Sequence, residues 1–195
     1  MAFSYATPDE VFETHQKTAR PMMWIGIVSF IMFWAGITSA YVIRQSQGDW
    51  LYFDVPNIFF QSTAIIILSS LTMGLAQFFA RKDKQLLTSL LLLATLTLGI
   101  VFSVFQYKGF LELFELGVYW TGPGSNASGQ YFNVIVWAHV AHILVGIFAL
   151  IFTSVKAILN KYSSENHIGI DVAAMYWHFL GILWVYLIVF LVFIR

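Results

Sequence analysis

The sequence predicts an all-α, polytopic membrane protein, a single bundle of five transmembrane helices with the N-terminus inside and the C-terminus outside. Three observations predict it. Of the 195 residues, 59% are hydrophobic and only 10% are charged, a balance outside that of soluble domains. Apolar runs of about 20 residues, the length that crosses a hydrocarbon layer of roughly 30 Å, recur along the chain. Lysine and arginine are shared unevenly between the loops that these runs define.

Residues 1–21 form a polar N-terminal segment of mixed charge, and the span after it is too long for the apolar stretch of a signal peptide, so a cleaved leader is not expected. Residues 22–195 form the membrane domain, with spans at about 22–43, 58–80, 86–107, 131–155 and 172–194. None of these spans contains Asp, Glu, Lys or Arg. Pro8, Pro21, Pro56 and Pro123 are all expected outside the spans. Pro21 and Pro56 sit just ahead of helices, where a missing N–H costs little.

The one long connection, 108–130, carries the turn-rich Thr121-Gly-Pro-Gly-Ser-Asn-Ala-Ser-Gly129 and, at Asn126-Ala-Ser128, a glycosylation triplet. One side of the membrane receives Lys17, Arg20, Arg81, Lys82, Lys84, Lys156 and Lys161, the other Arg44, Lys108 and Arg195; seven against three sets the orientation. Trp50, Tyr52, Tyr119, Trp120 and Tyr131 then form part of an outer aromatic belt.

The chain has no cysteine, which excludes disulfides, iron–sulfur clusters, c-type haem attachment and thiolate copper sites. The net charge is zero and no basic patch with interleaved aromatics occurs, so nucleic acid is not an expected partner.

The side chains inside the spans that titrate near neutral pH are His139, His142 and His178. A polar residue at membrane depth marks a function or an internal partner. Small residues spaced by three and four let helices approach in lipid, and two such stripes include histidines: Ala138, His142, Gly146, Ala149 and Thr153, then Ala174, His178 and Gly181. His139 stands beside the first stripe. Expected partners are Ser62, Thr63, Ser69, Ser70 and Thr72 in the second span and Thr95, Ser103 and Gln106 in the third, and His142 and His178 lie at similar depth, close enough to meet.

His139-x-x-His142 with His178 is the pattern of a three-histidine metal site, although no carboxylate or thiolate in the spans completes it. Bis-histidine haem between the last two spans is a second reading, against which Trp137, Trp177, Phe179 and Trp184 read as fillers of a packed interface. Proton or ion conduction is a third, served poorly by histidines without an acid. The fourth is structural: buried imidazoles, donor and acceptor both satisfied, that cross-link helices and fix their register.

Four segments in order carry a family resemblance: Ser69-Ser-Leu-Thr-Met-Gly74; Leu98-Gly99 with Phe102 and Gln106; His139-Val-Ala-His142 followed by Gly146; and Tyr176-Trp-His-Phe179 followed by Trp184. From about Met22 onward the chain resembles subunit III of the haem–copper oxidases, the cytochrome c and quinol oxidases, in their short five-helix bacterial form. The resemblance implies a noncatalytic subunit of a respiratory terminal oxidase in aerobic electron transport, multi-pass in the bacterial inner membrane. It binds no cofactor itself, haem and copper being expected in the partner. The implied partners are oxidase catalytic subunit I, subunit II, membrane phospholipid and a larger respiratory supercomplex. The structural, lipid-contact or partner-contact residues it marks are His139, His142, His178, Gln106, Ser69, Ser70, Gly146, Trp177 and Trp184.

Three acids of the family pattern are missing: the chain has Phe30 after Ser29, Gly109 three residues after Gln106, and Gly181 three residues after His178. A carboxylate-based proton role does not carry over with them, whereas structural and lipid-binding roles are independent of them. Two alternatives stand beside this reading. One is an accessory subunit of a nitric oxide reductase, and the other is a small haem-binding or ion-conducting membrane protein that uses His139, His142 and His178.

Overall fold

In a medium without water a backbone satisfies its N–H and C=O groups only by bonding to itself, so long apolar runs become helices. The computed structural model describes residues 8–48, 50–119, 121–122, 124–163 and 166–194. Within them lie five helices: α1 (Pro8–Gln45), α2 (Asn57–Ala80), α3 (Gln85–Glu115), α4 (Ala127–Ile158) and α5 (Ile168–Phe193). Each contains a stretch long and apolar enough to cross a membrane, which in α1 runs Lys17–Gln45 and in the others is the whole helix. Trp120 of the expected aromatic belt, Pro123 and Arg195 lie outside the described residues.

The helices outrun the expected spans because helical hydrogen bonding does not stop at the hydrocarbon edge. α1 reaches back to Pro8, so Pro21, expected just before a helix, lies inside one. α3 continues through Lys108 to Glu115 and α4 begins at Ala127, which shortens the expected 108–130 connection to 116–126. Asn126 starts α4 by accepting a hydrogen bond from Gly129 N at 2.8 Å, and Ser128 Oγ donates to the same Asn126 Oδ1 at 2.6 Å. The asparagine of the glycosylation triplet is thus occupied as a helix cap. Asp83 (φ 54°) and Asn160 (φ 52°) turn the chain after α2 and α4, in a left-handed conformation that Asp and Asn adopt more readily than most residues.

Directions follow from which ends meet. Asp171, in the first turn of α5, lies beside Arg20 near the start of the membrane stretch of α1 and Arg81 just past the end of α2. At the other end Tyr41 of α1 packs on Phe190 of α5 and Tyr131 of α4, with ring centroids 5.2 and 6.1 Å away. α1 and α5 therefore run parallel, and α2 and α4 run opposite to them. α5 is the central helix, packed against α1, α2 and α4, while α3 closes the far side against α2 and α4. Among the described residues α1 packs its backbone only on α5 and, less extensively, α4.

Lipid solvates a leucine as well as a protein does, so close fit, not hydrophobic exclusion, holds these helices together. The clearest case is Trp177, whose indole fills the space above two glycines. A Cβ on Gly99 of α3 would stand 2.7 Å from Trp177 Cη2, and one on Gly146 of α4 3.1 Å from Cζ3. One side chain thereby sets the spacing of α3, α4 and α5.

Candidate functional site

The interior of the bundle is a ladder of polar bonds between helices, interleaved with aromatic rings. Ser69 is fully buried; its Oγ donates to Thr95 O (3.2 Å) and accepts from Trp177 Nε1 (3.0 Å), joining α2, α3 and α5. One level along, Gln106 Nε2 donates to Ser62 Oγ at 2.8 Å and Trp184 Nε1 to Thr63 Oγ1 at 3.0 Å. Thr72 and Thr95 share a hydrogen bond of 2.9 Å, and Ser70 Oγ shares one of 2.5 Å with His178 Nδ1. Ser62 and Ser69 stand seven residues, two helical turns, apart on the buried face of α2, which sets them at successive levels of the ladder.

The three histidines occupy different places. His139 is fully buried, stacked on Trp184 (ring centroids 5.1 Å apart, planes at 30°) and met edge-on by Phe102 and Trp34. Neither of its ring nitrogens has a hydrogen-bond partner among the described residues, contrary to the expected satisfied pair. The aromatic rings that surround it offer faces and edges instead of acceptors. His142 Nδ1 donates to Ala138 O at 2.6 Å, a bond within its own helix, so it does not cross-link helices by that nitrogen as expected. Its ring is covered from α1 by Phe30 and Phe33, at centroid distances of 4.7 and 6.1 Å.

His178 reaches the opposite way, onto α2, and the expected meeting of His142 with His178 does not occur. Among the described residues no three His, Asp or Glu side chains are placed to hold a metal ion. Of the expected partners, Ser62, Thr63, Ser69, Ser70, Thr72, Thr95 and Gln106 do make interhelical bonds, but only Ser70 makes one to a histidine.

Phe30, Gly109 and Gly181, where the resemblance implies acids, are packing positions. Phe30 covers His142, Gly109 lies under the Phe59 ring (2.6 Å from where its Cβ would be), and Gly181 faces Ile66. A glutamate at residue 109 would displace Phe59.

One buried charged group, Asp171, is not among the residues expected from the sequence. Asp171, one residue before the expected fifth span, lies inside α5 with its side chain only 2% exposed. Gln77 Nε2 donates to its Oδ1 at 2.6 Å and Arg81 to the same oxygen at 3.4 Å; Arg20 pairs with Oδ2, and His167 Nε2 stands 3.5 Å from that oxygen. The arginines are 52% and 55% exposed, so one buried carboxylate gathers two half-solvated cations from α1 and the end of α2. The charge count carries the signal, since it puts Arg20 and Arg81 on the side of the membrane where the Ile168–Val172 segment enters it.

Beside this cluster, a cleft of about 650 Å³ opens between α1 and α4, floored by α5. Its walls are apolar (Met23, Phe30, Val145, Phe152), and Thr153, Lys156 and Tyr162 supply its polar lining. Burial raises the pKa of the Tyr162 phenol, which keeps it a neutral hydrogen-bonding group at physiological pH.

Five membrane-length helices, held by interhelical hydroxyl, amide and indole bonds, define a polytopic membrane subunit of the packed-bundle type. The family model described as cytochrome c oxidase subunit III matches residues 15–194, and the chain belongs to that family. It is similar to the probable quinol oxidase subunit 3 of Staphylococcus saprophyticus, 26% identical over 170 residues that span 84% of this chain and 83% of the relative. The probable quinol oxidase subunits 3 of Staphylococcus haemolyticus and of Staphylococcus aureus are each 26% identical over 184 residues, 89% of this chain and 88% of theirs.

Proposed function

We propose that the chain is the noncatalytic subunit III of a bacterial respiratory terminal oxidase. In this reading it packs against the haem–copper catalytic subunit, stabilises it during oxygen reduction, and orders phospholipid in the α1–α4 cleft. One observation carries the reading beyond family membership: a set of polar side chains in the membrane core joins helix to helix. Ser69, Thr95, Gln106 and the indoles of Trp177 and Trp184 form interhelical bonds that fix geometry. Such bonds are worth about 0.6 kcal/mol each and up to roughly 2, enough in sum to hold one arrangement of a bundle.

The cleft suits an acyl chain along Phe30, Val145 and Phe152, with a phosphate near Lys156 and the Tyr162 hydroxyl. Subunit II and the rest of the complex follow as partners, and the inner membrane of a bacterium follows as location, N-terminus inside. Affinity purification of the tagged chain in mild detergent tests the reading. A larger haem- and copper-containing subunit is expected to copurify in equal amount. Recovery of the chain alone from membranes that contain an assembled oxidase would overturn it.

A further inference from the structure

We propose that the groove between α2 and α5 is where a transmembrane helix of the catalytic subunit docks; the inference rests on the oxidase-subunit reading and names the face that it leaves open. The groove has a volume of about 250 Å³ and is lined by Ile66, Ile67, Ser70, Leu71, Gly181 and Ile182, with Val185 at its side. His178 bonds to Ser70 across it, and the imidazole lies on Gly74, where a Cβ would be 3.9 Å from His178 Cε1.

Depth makes this pair informative. Ser70 stands thirteen residues from the start of α2 and ten from its end, and His178 stands ten residues from the start of α5 and fifteen from its end. At about 1.5 Å per residue both lie some 15 Å or more from either helix end, the middle of a hydrocarbon layer of roughly 30 Å. Yet both side chains are only partly buried. Nδ1 is bonded to Ser70; Nε2 is a donor or an acceptor according to the tautomer, and hydrocarbon satisfies neither.

His142, the other partly buried imidazole of the membrane core, is covered by Phe30 and Phe33 of α1; among the described residues no ring packs on His178. The outer face of α3 is built for lipid, with Leu90, Leu93, Ile100 and Val104, and its exposed Thr97 hydroxyl is turned back to Leu93 O at 2.9 Å. The α2–α5 groove instead has Ser70 and Gly181 in its lining, with the Ser70–His178 pair at its edge at mid-depth. Its occupant is a transmembrane helix of the catalytic subunit with one hydroxyl, amide or carboxyl at the level of the Ser70–His178 pair.

The test uses the whole complex in native membranes, with the photocrosslinking residue p-benzoylphenylalanine placed at Leu71 or Ile182 and, as controls, at Leu93 or Ile100. Adducts to the catalytic subunit are expected from Leu71 and Ile182. His178→Leu is expected to reduce them several-fold and His178→Gln, which keeps a donor and an acceptor, to restore them. An adduct yield unchanged by His178→Leu would remove the imidazole from recognition and overturn the proposal. Absence of adducts from Leu71 and Ile182 overturns it as well. If the chain still copurifies with the oxidase in that case, only the choice of face is wrong; if copurification is lost for the unsubstituted chain too, the oxidase-subunit reading falls with it.

Discussion

At the scale of single residues, the core divides its polar groups into those with a partner on another helix and those without. Trp177 has both a bond, to Ser69, and a seat, over Gly99 and Gly146. Gly99→Val forces the indole out of that seat, and overpacking of this kind costs about 1–3 kcal/mol. The expected result is a lower melting temperature in detergent with the helical content kept. The histidines are expected to separate in the same assay. His178→Leu loses a bond between helices, worth about 0.6 kcal/mol and up to roughly 2. His139→Leu removes a buried imidazole with no hydrogen-bond partner among the described residues, so it is expected to be neutral or stabilising. A large loss for His139→Leu with none for His178→Leu would reverse this assignment.

At the scale of helices, Asp171 fastens the membrane entry of α1 and the exit of α2 to the start of α5. A buried carboxylate stripped of its cations is costly, about 3–5 kcal/mol, whereas removing the charge as well relieves the cost. The double variant Arg20→Gln with Arg81→Gln is therefore expected to destabilise the bundle more than Asp171→Asn does. Adding Asp171→Asn to the double variant is expected to recover part of the loss, a coupling that a mutant cycle in thermal denaturation measures.

The same helices show what a sequence carries. Their number and order were legible because each apolar run exceeds the thickness of the membrane. Their ends were not, since α1 and α3 continue through polar residues wherever backbone bonding continues, as at Pro21 and Lys108. Ser70 and His178 were both legible as interior groups, but the choice of Ser70 among several hydroxyls depends on helix rotation, which no local pattern encodes. Asp171 was hidden by a span boundary at residue 172, four residues after α5 begins, where a lone acid reads as loop.

At the scale of the molecule, α1 stands apart from α2 and α3, leaving the cleft between itself and α4. If phospholipid occupies that cleft, replacing Lys156 with Glu is expected to lower the anionic phospholipid retained per complex after mild delipidation, read by mass spectrometry, without loss of chain assembly. Equal retention in the variant would place the headgroup elsewhere. The central claim is that this subunit packs and supports while the redox chemistry stays with its partner. The most direct measurement is the reduced-minus-oxidised difference spectrum of the oxidase, per mole of catalytic subunit, prepared with and without this chain. The same haem absorbance is expected in both preparations; a loss of haem signal in proportion to the chain removed would contradict that claim.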